Sequence, residues 1–268
     1  MNAPGNSGQS GARHNIDQSE RRKEIAAHVM EAGEVSVEDL AKFCDVSIMT
    51  IYRDVAVLES AGVVHRSRGK VVASASGLHE ATARYRLSQA SRSKEEMARA
   101  VAPLIAPGSS VLLDDSTSSV WVLRELKNMA PLSVVTNSLL VASELQGNSR
   151  HSLLLLGGEY QAWAEATMGP LTIRNLEGVH ADVCLLSASG VRDDLVFHPY
   201  GDVAAVKQKM MEVAEKTILL LDHTKFRRRA LHAFGKLTEI DLVVVDSQTS
   251  TEDVERLREM GVEVLVAK

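Results

Sequence analysis

Asp114-Asp115-Ser116-Thr117-Ser118-Ser119 sets two carboxylates and four hydroxyls in six consecutive positions, directly after the apolar run Val111-Leu112-Leu113. The segment that follows carries Val120, Leu123 and Leu126 at helical spacing. A hydroxyl-rich loop opening a helix offers side-chain donors, free backbone N–H groups and the positive end of the helix dipole. That is the chemistry of an anion site, suited to a phosphate. The same residues also make an ordinary Asp/Ser helix cap. What favours the site is recurrence. Val134-Val135 runs into Thr136-Asn137-Ser138, and the apolar run 153–156 into Gly157-Gly158-Glu159, where paired glycines allow close backbone approach. The run 183–186 leads to Ser187-Ala188-Ser189-Gly190, and 218–221 to Asp222-His223-Thr224-Lys225-Phe226, with a carboxylate and a cation. On one rim of one sheet, these loops describe a pocket for a small, anionic, hydroxylated molecule. The contacts expected there are Asp114, Asp115, Ser116, Thr117, Ser118, Ser119, Thr136, Asn137, Gly157, Gly158, Glu159, Ser189, Gly190, Asp222 and Lys225.

A second constellation lies at 34–67, EVSVEDLAKFCDVSIMTIYRDVAVLESAGVVHRS. Ser36 with Asp39 predicts a capped first helix, with Leu40 and Phe43 on one face. Asp45-Val46 makes a turn and Ser47 caps a second helix. Ile51, Val55 and Leu58 then face inward, at i, i+4 and i+7. The opposite face presents Met49, Thr50, Tyr52 and Arg53, side chains suited to phosphates and base edges in a major groove. Gly62 ends the helix. Val63-Val64 and Val71-Val72 flank a hairpin tip bearing Arg66, Arg68 and Lys70, placed to sit over a phosphate backbone. Two short amphipathic helices and a cationic turn can also be purely structural. With Ser47, the residues expected on nucleic acid are Met49, Thr50, Tyr52, Arg53, Arg66, Arg68 and Lys70.

These residues need two different frames. Asp17 with Glu20, and Ile16 as staple, predicts a support helix to about Met30 with Ile25 and Val29 inward. The expected division is a disordered arm over 1–15, a winged helix-turn-helix head over 16–75, a linker over 76–92 and an α/β body over 93–268. The linker is expected to hold a helix across 79–89 with Arg84 and Arg86 exposed. In the body, seven short Val/Leu/Ile runs alternate with amphipathic helical stretches. That pattern calls for a Rossmann-like, mostly parallel sheet covered on both faces, with ligands at the carboxyl ends of its strands.

Composition permits both frames. The 268 residues are 45% hydrophobic and 24% charged, enough for a real core, though only 4% are aromatic. The net charge of -5 is unevenly spread. Positions 53–92 hold seven basic against three acidic residues, while 93–268 hold 18 against 24. A basic stretch beside an acidic body fits a head that reads DNA on a domain with another task. Cys44 and Cys184 sit in apolar contexts without CxxC spacing, as in a reduced cytoplasmic protein. No metal-ligand spacing, cofactor motif, bilayer-length apolar run or signal-peptide core is present in the sequence.

The ordered set VSVEDLAKFCDVSIMTIYRDVAVLESAGVVHR, Leu113-Asp114, Val135-Thr136-Asn137-Ser138, Leu156-Gly157-Gly158, Ser187-Ala188-Ser189-Gly190 and Leu221-Asp222-His223-Thr224-Lys225-Phe226 resembles the DeoR family of bacterial transcriptional regulators. The likeness runs from about Ser19 to the C-terminus. It implies a winged helix-turn-helix joined to an effector domain similar in fold to ribose-5-phosphate isomerase. It further implies repression of a sugar-catabolism operon, relieved by a phosphorylated sugar. The partners implied are double-stranded operator DNA, a sugar phosphate and a second copy of the chain, as dimer or tetramer, with no membrane and no cofactor. Asp114 to Ser119, Asn137, Gly157-Gly158 and Lys225 become the effector contacts. The chain departs from the family in three places. Tyr52-Arg53 stands where Arg-Arg is usual, Gly69-Lys70 where the wing ends in Gly-Gly-Ala, and Asp115-Ser116 where the loop reads Ala-Gly. The added Asp115 is unfavourable beside a phosphate unless it faces sugar hydroxyls or pairs with a cation such as Lys225. The competing function is a sugar-phosphate isomerase using Asp114, Asp115, Asp222 and Lys225 as acid/base groups.

Overall fold

The computed structural model describes residues 18–74, 80–128 and 131–268. The expected arm, the Asp17 cap with its Ile16 staple, and positions 76–79 of the expected linker lie outside the described residues. The chain divides after Ser74 into two compact units.

The first unit holds α1 (Gln18–Ala32), β1 (Glu34–Ser36), α2 (Val37–Phe43), α3 (Ile48–Ser60), β2 (Val64–Ser67) and β3 (Lys70–Ala73). Ile25, Val29, Leu40, Ile51, Val55 and Leu58 are fully buried between the helices. Ser36 Oγ caps α2 by accepting from Asp39 N, and Ser47 Oγ caps α3 by accepting from Thr50 N. Phe43 does not join this core. It is half exposed and stacks on His28 of α1, ring centroids 4.3 Å apart. Asp54 occupies a core position of α3 and is fully buried, taking Arg21 Nε at 2.7 Å and Arg22 Nε at 2.8 Å from α1. The wing is a three-stranded sheet, because β1 pairs antiparallel with β3. Its tip is Arg68-Gly69, φ 50° and 78°, the two left-handed positions of a tight two-residue hairpin.

The second unit runs through α4 (Ala83–Ser88), α5 (Ser91–Val101), β4 (Ser110–Leu113), α6 (Thr117–Leu126), β5 (Ser133–Thr136), α7 (Leu139–Glu144) and β6 (Ser152–Leu155). Next come β7 (Glu159–Gln161), β8 (Ala166–Met168), α8 (Pro170–Leu176), β9 (Ala181–Ser187), β10 (Gly190–Arg192), β11 (Leu195–His198) and α9 (Gly201–Glu212). It closes with β12 (Ala214–Leu221), β13 (His232–Lys236), β14 (Leu242–Val245), α10 (Thr251–Glu259) and β15 (Val264–Val266). All seven apolar runs become strands of one sheet, ordered β15-β14-β12-β9-β4-β5-β6, with every neighbouring pair parallel. Alternate residues feed two cores. Leu112, Cys184, Leu186, Leu219 and Val243 face one, while Val111, Leu113, Leu185, Leu220 and Val244 face the other. Burial on both faces is why the central strands β4, β9, β12 and β14 read as unbroken apolar runs.

The order decides where a site belongs. From β4 the chain builds outward to β5 and β6, then returns across β4 to β9 and builds the other half. The reversal lies between β4 and β9, and the crevice outside their carboxyl ends is the binding position of such sheets. At one edge, β6 leaves Leu153, Leu154 and Leu155 at 41%, 51% and 43% exposure.

Candidate functional site

Asp114 follows β4 at the reversal point and is fully buried. Its Oδ1 accepts from Ser116 N at 2.9 Å and Ser119 Oγ at 2.6 Å. Its Oδ2 accepts from Ser187 N of β9 at 3.0 Å and from Lys207 Nζ of α9. Lys207 Nζ also lies 3.1 Å from Asp115 Oδ1. The cation that meets Asp115 is therefore Lys207 rather than Lys225. Burial works against the Lys207 charge, yet Asp114 and Asp115 outweigh it and hold its pKa above the ordinary lysine value. Burial likewise opposes ionisation of Asp115, and Lys207 overcomes it, leaving the carboxyl below its usual range. With both oxygens doubly bonded, Asp114 has no lone pair aimed at a substrate proton. Asp222 Oδ1 accepts from Thr224 N and Oγ1, while its Oδ2 lies 3.9 Å from Lys225 Nζ. Asp114 and Asp222 thus organise the loops that carry them.

The loop hydroxyls divide by role. Ser116 Oγ caps α6 by accepting from Ser119 N, and Ser119 is held by Asp114. Thr117 and Ser118, in the first turn, are buried and make no side-chain hydrogen bond among the described residues. Thr136 Oγ1 donates to Leu113 O at 2.7 Å and accepts from Ser138 N, tying β5 to β4. Asn137 is fully buried. Its Nδ2 donates to Thr167 O at 2.8 Å, while Oδ1 has no protein partner. The glycines serve close approach by the chain itself. A Cβ on Gly158 would stand 1.9 Å from Thr172 Oγ1, and one on Gly190 2.4 Å from Arg228 O. Gly157 O accepts from Thr172 Oγ1 and Asn175 Nδ2. Glu159 points outward from β7 and is exposed.

The richest part of the site was not among the expected contacts. Residues 80–89 carry only α4 as a helix, and Arg86 turns inward where exposure was expected; Arg84 is exposed. Arg86 Nε donates to Ala81 O at 3.0 Å and lies 3.6 Å from Glu80 Oε2, and its guanidinium sits 5.7 Å from the Trp163 ring centroid. Arg86 Nη2 is buried without a partner. Glu80 Oε1 accepts from Ser189 Oγ at 2.5 Å. Burial opposes the Glu80 charge, but Arg86, Arg228 and Lys225 outweigh it and keep the group ionised. Lys94 is pushed down to about 7, first by burial and then by Lys225. Lys225 itself is lowered by burial, against the pull of Asp222 3.9 Å away. Beside them, His198 is pushed down to about 4 by burial and then by Lys207. Its Nδ1 accepts from Tyr200 N, so the neutral ring carries its proton on Nε2. Trp163, His198 and Tyr200 form one aromatic wall.

Two of these residues had a signal in the sequence. Lys94, Met97, Ala98 and Val101 fall at i, i+3, i+4 and i+7, as do Val203, Val206, Lys207 and Met210, and all are buried. A lysine inside an apolar helical stripe announces a buried counter-charge. Glu80, Arg86 and Arg228 stand in polar surroundings that read as solvated chain.

In the head, α3 turns Met49, Tyr52 and Arg53 to solvent, with Met49 63% exposed. Arg53 makes no ion pair among the described residues. Ser47 Oγ and Thr50 Oγ1 lie 2.9 Å apart. Arg66 is engaged by Glu59 at 2.6 Å and Lys70 by Glu34 at 2.5 Å, while Arg68 at the wing tip makes no ion pair among the described residues.

Two family models match the chain. A DeoR-like helix-turn-helix domain covers residues 21–76, and a DeoR C-terminal sensor domain covers residues 89–247. The chain is similar to the putative aga operon transcriptional repressor of Escherichia coli O157:H7, at 29% identity over 97% of this chain and 98% of that one. It is similar to the glycerol-3-phosphate regulon repressor of Escherichia coli K12, at 30% identity over 87% and 92%. Among solved structures it overlays ribose 5-phosphate isomerase A of Methanocaldococcus jannaschii over 50% of this chain and 53% of that one, with TM-score 0.37 and 14% identity. Among the described residues no helix is long and apolar enough to cross a membrane, and no His/Cys/Asp/Glu group is arranged to hold a metal ion.

Proposed function

The chain belongs to the DeoR family of DNA-binding transcription regulators, and on that premise we propose that it represses a sugar-catabolism operon and is released from its operator by a phosphorylated sugar. The observation that carries the effector class is the convergence of Arg86, Lys94, Lys225 and Arg228 around Glu80 and Asp222, with a buried guanidinium N–H left unpartnered. A phosphate supplies the charge and the acceptor oxygens this set lacks. Asn137 Oδ1 and the Nε2–H of His198 then offer an acceptor and a donor to sugar hydroxyls. On the head, Arg53 and Arg68, without an ion pair among the described residues, are the cations for the DNA backbone and base edges, together with Met49, Thr50 and Tyr52.

The proposed division is a DNA-reading head to about residue 75 and an effector body to which Glu80 and Arg86 already belong. The exposed leucines of β6 support self-association, since an unpaired apolar sheet edge is a template for another strand. Sedimentation of Leu154→Asp, expected to lower the oligomeric mass, tests that part.

The whole reading is tested by fluorescence anisotropy of the protein on DNA from its own upstream region, titrated with a panel of sugar phosphates. One compound is expected to lower DNA affinity at least tenfold. Binding of DNA that no sugar phosphate alters would remove the effector class. No DNA binding at low salt would remove the operator reading.

A further inference from the structure

We propose that Glu80 is the built-in occupant of the body's anion subsite, and that an incoming phosphate exchanges with it at Arg86, Arg228 and Ser189. The inference rests on the sensor reading above and adds how that site is regulated.

Three observations support it. First, the other cations of the site have partners, Lys94 Nζ donating to Arg86 O and Gln89 O. Lys207 is taken by Asp114 and Asp115, and Lys225 faces Asp222. Glu80 is the one ion-pair partner of Arg86 among the described residues, and Arg228 has none within 4.0 Å. Second, the Glu80 side chain is 3% exposed, so water does not share its solvation. Cations that must stay charged in such a place need a counter-ion, and Glu80 is that counter-ion. Third, it is a poor fit. Its approach to Arg86 is 3.6 Å through one oxygen, and Arg86 Nη2 remains buried and unpaired. A phosphate has more acceptor oxygens and binds guanidinium through two parallel N–H bonds. It can satisfy Nη2 and take over the Ser189 hydroxyl together, which one carboxylate does not. Exchange is then favoured by the difference in fit rather than by attraction to an empty site.

Glu80 stands six positions after Ser74, where the head unit ends. Its release would therefore act close in sequence to the head, and the DNA-binding arm of the test reads whether it reaches it.

The test compares wild type with Glu80→Gln and Glu80→Asp in the full chain. Calorimetry with inorganic phosphate and with the sugar-phosphate panel reads the subsite, and anisotropy on the upstream DNA reads the head. Glu80→Gln keeps the shape and removes the competing charge. It is expected to bind phosphate at least tenfold more tightly than wild type. Its DNA affinity without any phosphate is expected to fall toward that of the effector-bound wild type. Glu80→Asp retains the charge on a shorter stem and is expected to move both readings in the same direction by less, which keeps the test sound if the glutamine variant unfolds. Phosphate bound by wild type and bound equally or more weakly by both variants would overturn the role of Glu80 and leave the sensor reading intact. No sugar phosphate or phosphate bound by wild type or either variant would overturn both.

Discussion

Asp54 in the head and Glu80 in the body are both buried carboxylates facing arginine, and they are built to opposite ends. Each Asp54 oxygen takes its own guanidinium, at 2.7 and 2.8 Å. Glu80 meets Arg86 at 3.6 Å and leaves one of its N–H groups buried and unpaired. The first arrangement is closed and clamps α1 to α3, presenting the exposed face of α3 on a fixed support. The second leaves a donor unmatched, and the proposed anion would match it. Buried charge thus marks a fold where every atom is satisfied and a site where one is not.

Lys207 extends the closed class and gives the largest expected effect. Lys207→Met strands Asp114 and Asp115 without their cation, at a cost of about 3–5 kcal/mol. Adding Asp115→Ala should recover part of it, and urea unfolding of the three proteins measures both. The pH dependence has two limbs. Asp115 is lowered in the fold, so its share is present above its ordinary 3.8 and lost as pH falls through the folded value. Lys207 is raised, so its share is present below 10.5 and lost as pH rises through the folded value. A wild-type profile whose acid limb the double variant leaves unchanged would remove Asp115 from the closed class.

Asp54→Ala comes next. It leaves Arg21 and Arg22 partly buried without a partner, and the head should lose about 3 kcal/mol. DNA binding should vanish while calorimetric phosphate uptake by the body persists. Loss of both together would join the two regions that the comparison separates. Smaller again is Arg53→Ala, expected to weaken operator binding by about 1–3 kcal/mol with phosphate uptake unchanged. Arg68→Ala, a backbone contact, should lower the salt dependence of binding by about one ion.

The smallest effect sharpens the open class. Lys94 is pushed to about 7 by burial, then by Lys225 and Arg86, with Asp222 and Glu80 opposing. A bound anion favours its charged form, so phosphate uptake above pH 7 should bring a proton with it. Affinity for a sugar phosphate should then fall as pH rises from about 7 to about 9, where the phosphate is already mostly dianionic. Calorimetry at pH 8 in buffers of different ionisation enthalpy reads that proton, and identical heats would exclude Lys94.

The same physics explains what could be read from sequence. The central strands were legible because a parallel sheet buried on both faces leaves no polar alternation to confuse them, and the edge strand β6 was legible because its leucines run unbroken even though exposed. The loops at their ends were legible as polar breaks. The small sheets β7–β8 and β10–β11–β13 were not, since half-exposed strands of three to five residues carry too little pattern. Asp54 was present in the sequence as a carboxylate at a core position, with Ile51, Val55 and Leu58 at i−3, i+1 and i+4. Lys94 and Lys207 stood in the same way. Glu80 and Arg86 had no such stripe, because their burial comes from distant strand-end loops rather than from their own helix face. Thr136 and the glycines stand at the strand ends, where the structure gives them bonds and close contacts within the chain.

The most direct test is calorimetry of the sugar-phosphate panel on Arg86→Gln. The account predicts that the compound bound by wild type loses at least tenfold in affinity, while circular dichroism shows the variant still folded. Undiminished affinity would mean that the open guanidinium of Arg86 does not receive the anion, and the contrast between the two buried carboxylates would no longer distinguish fold from site.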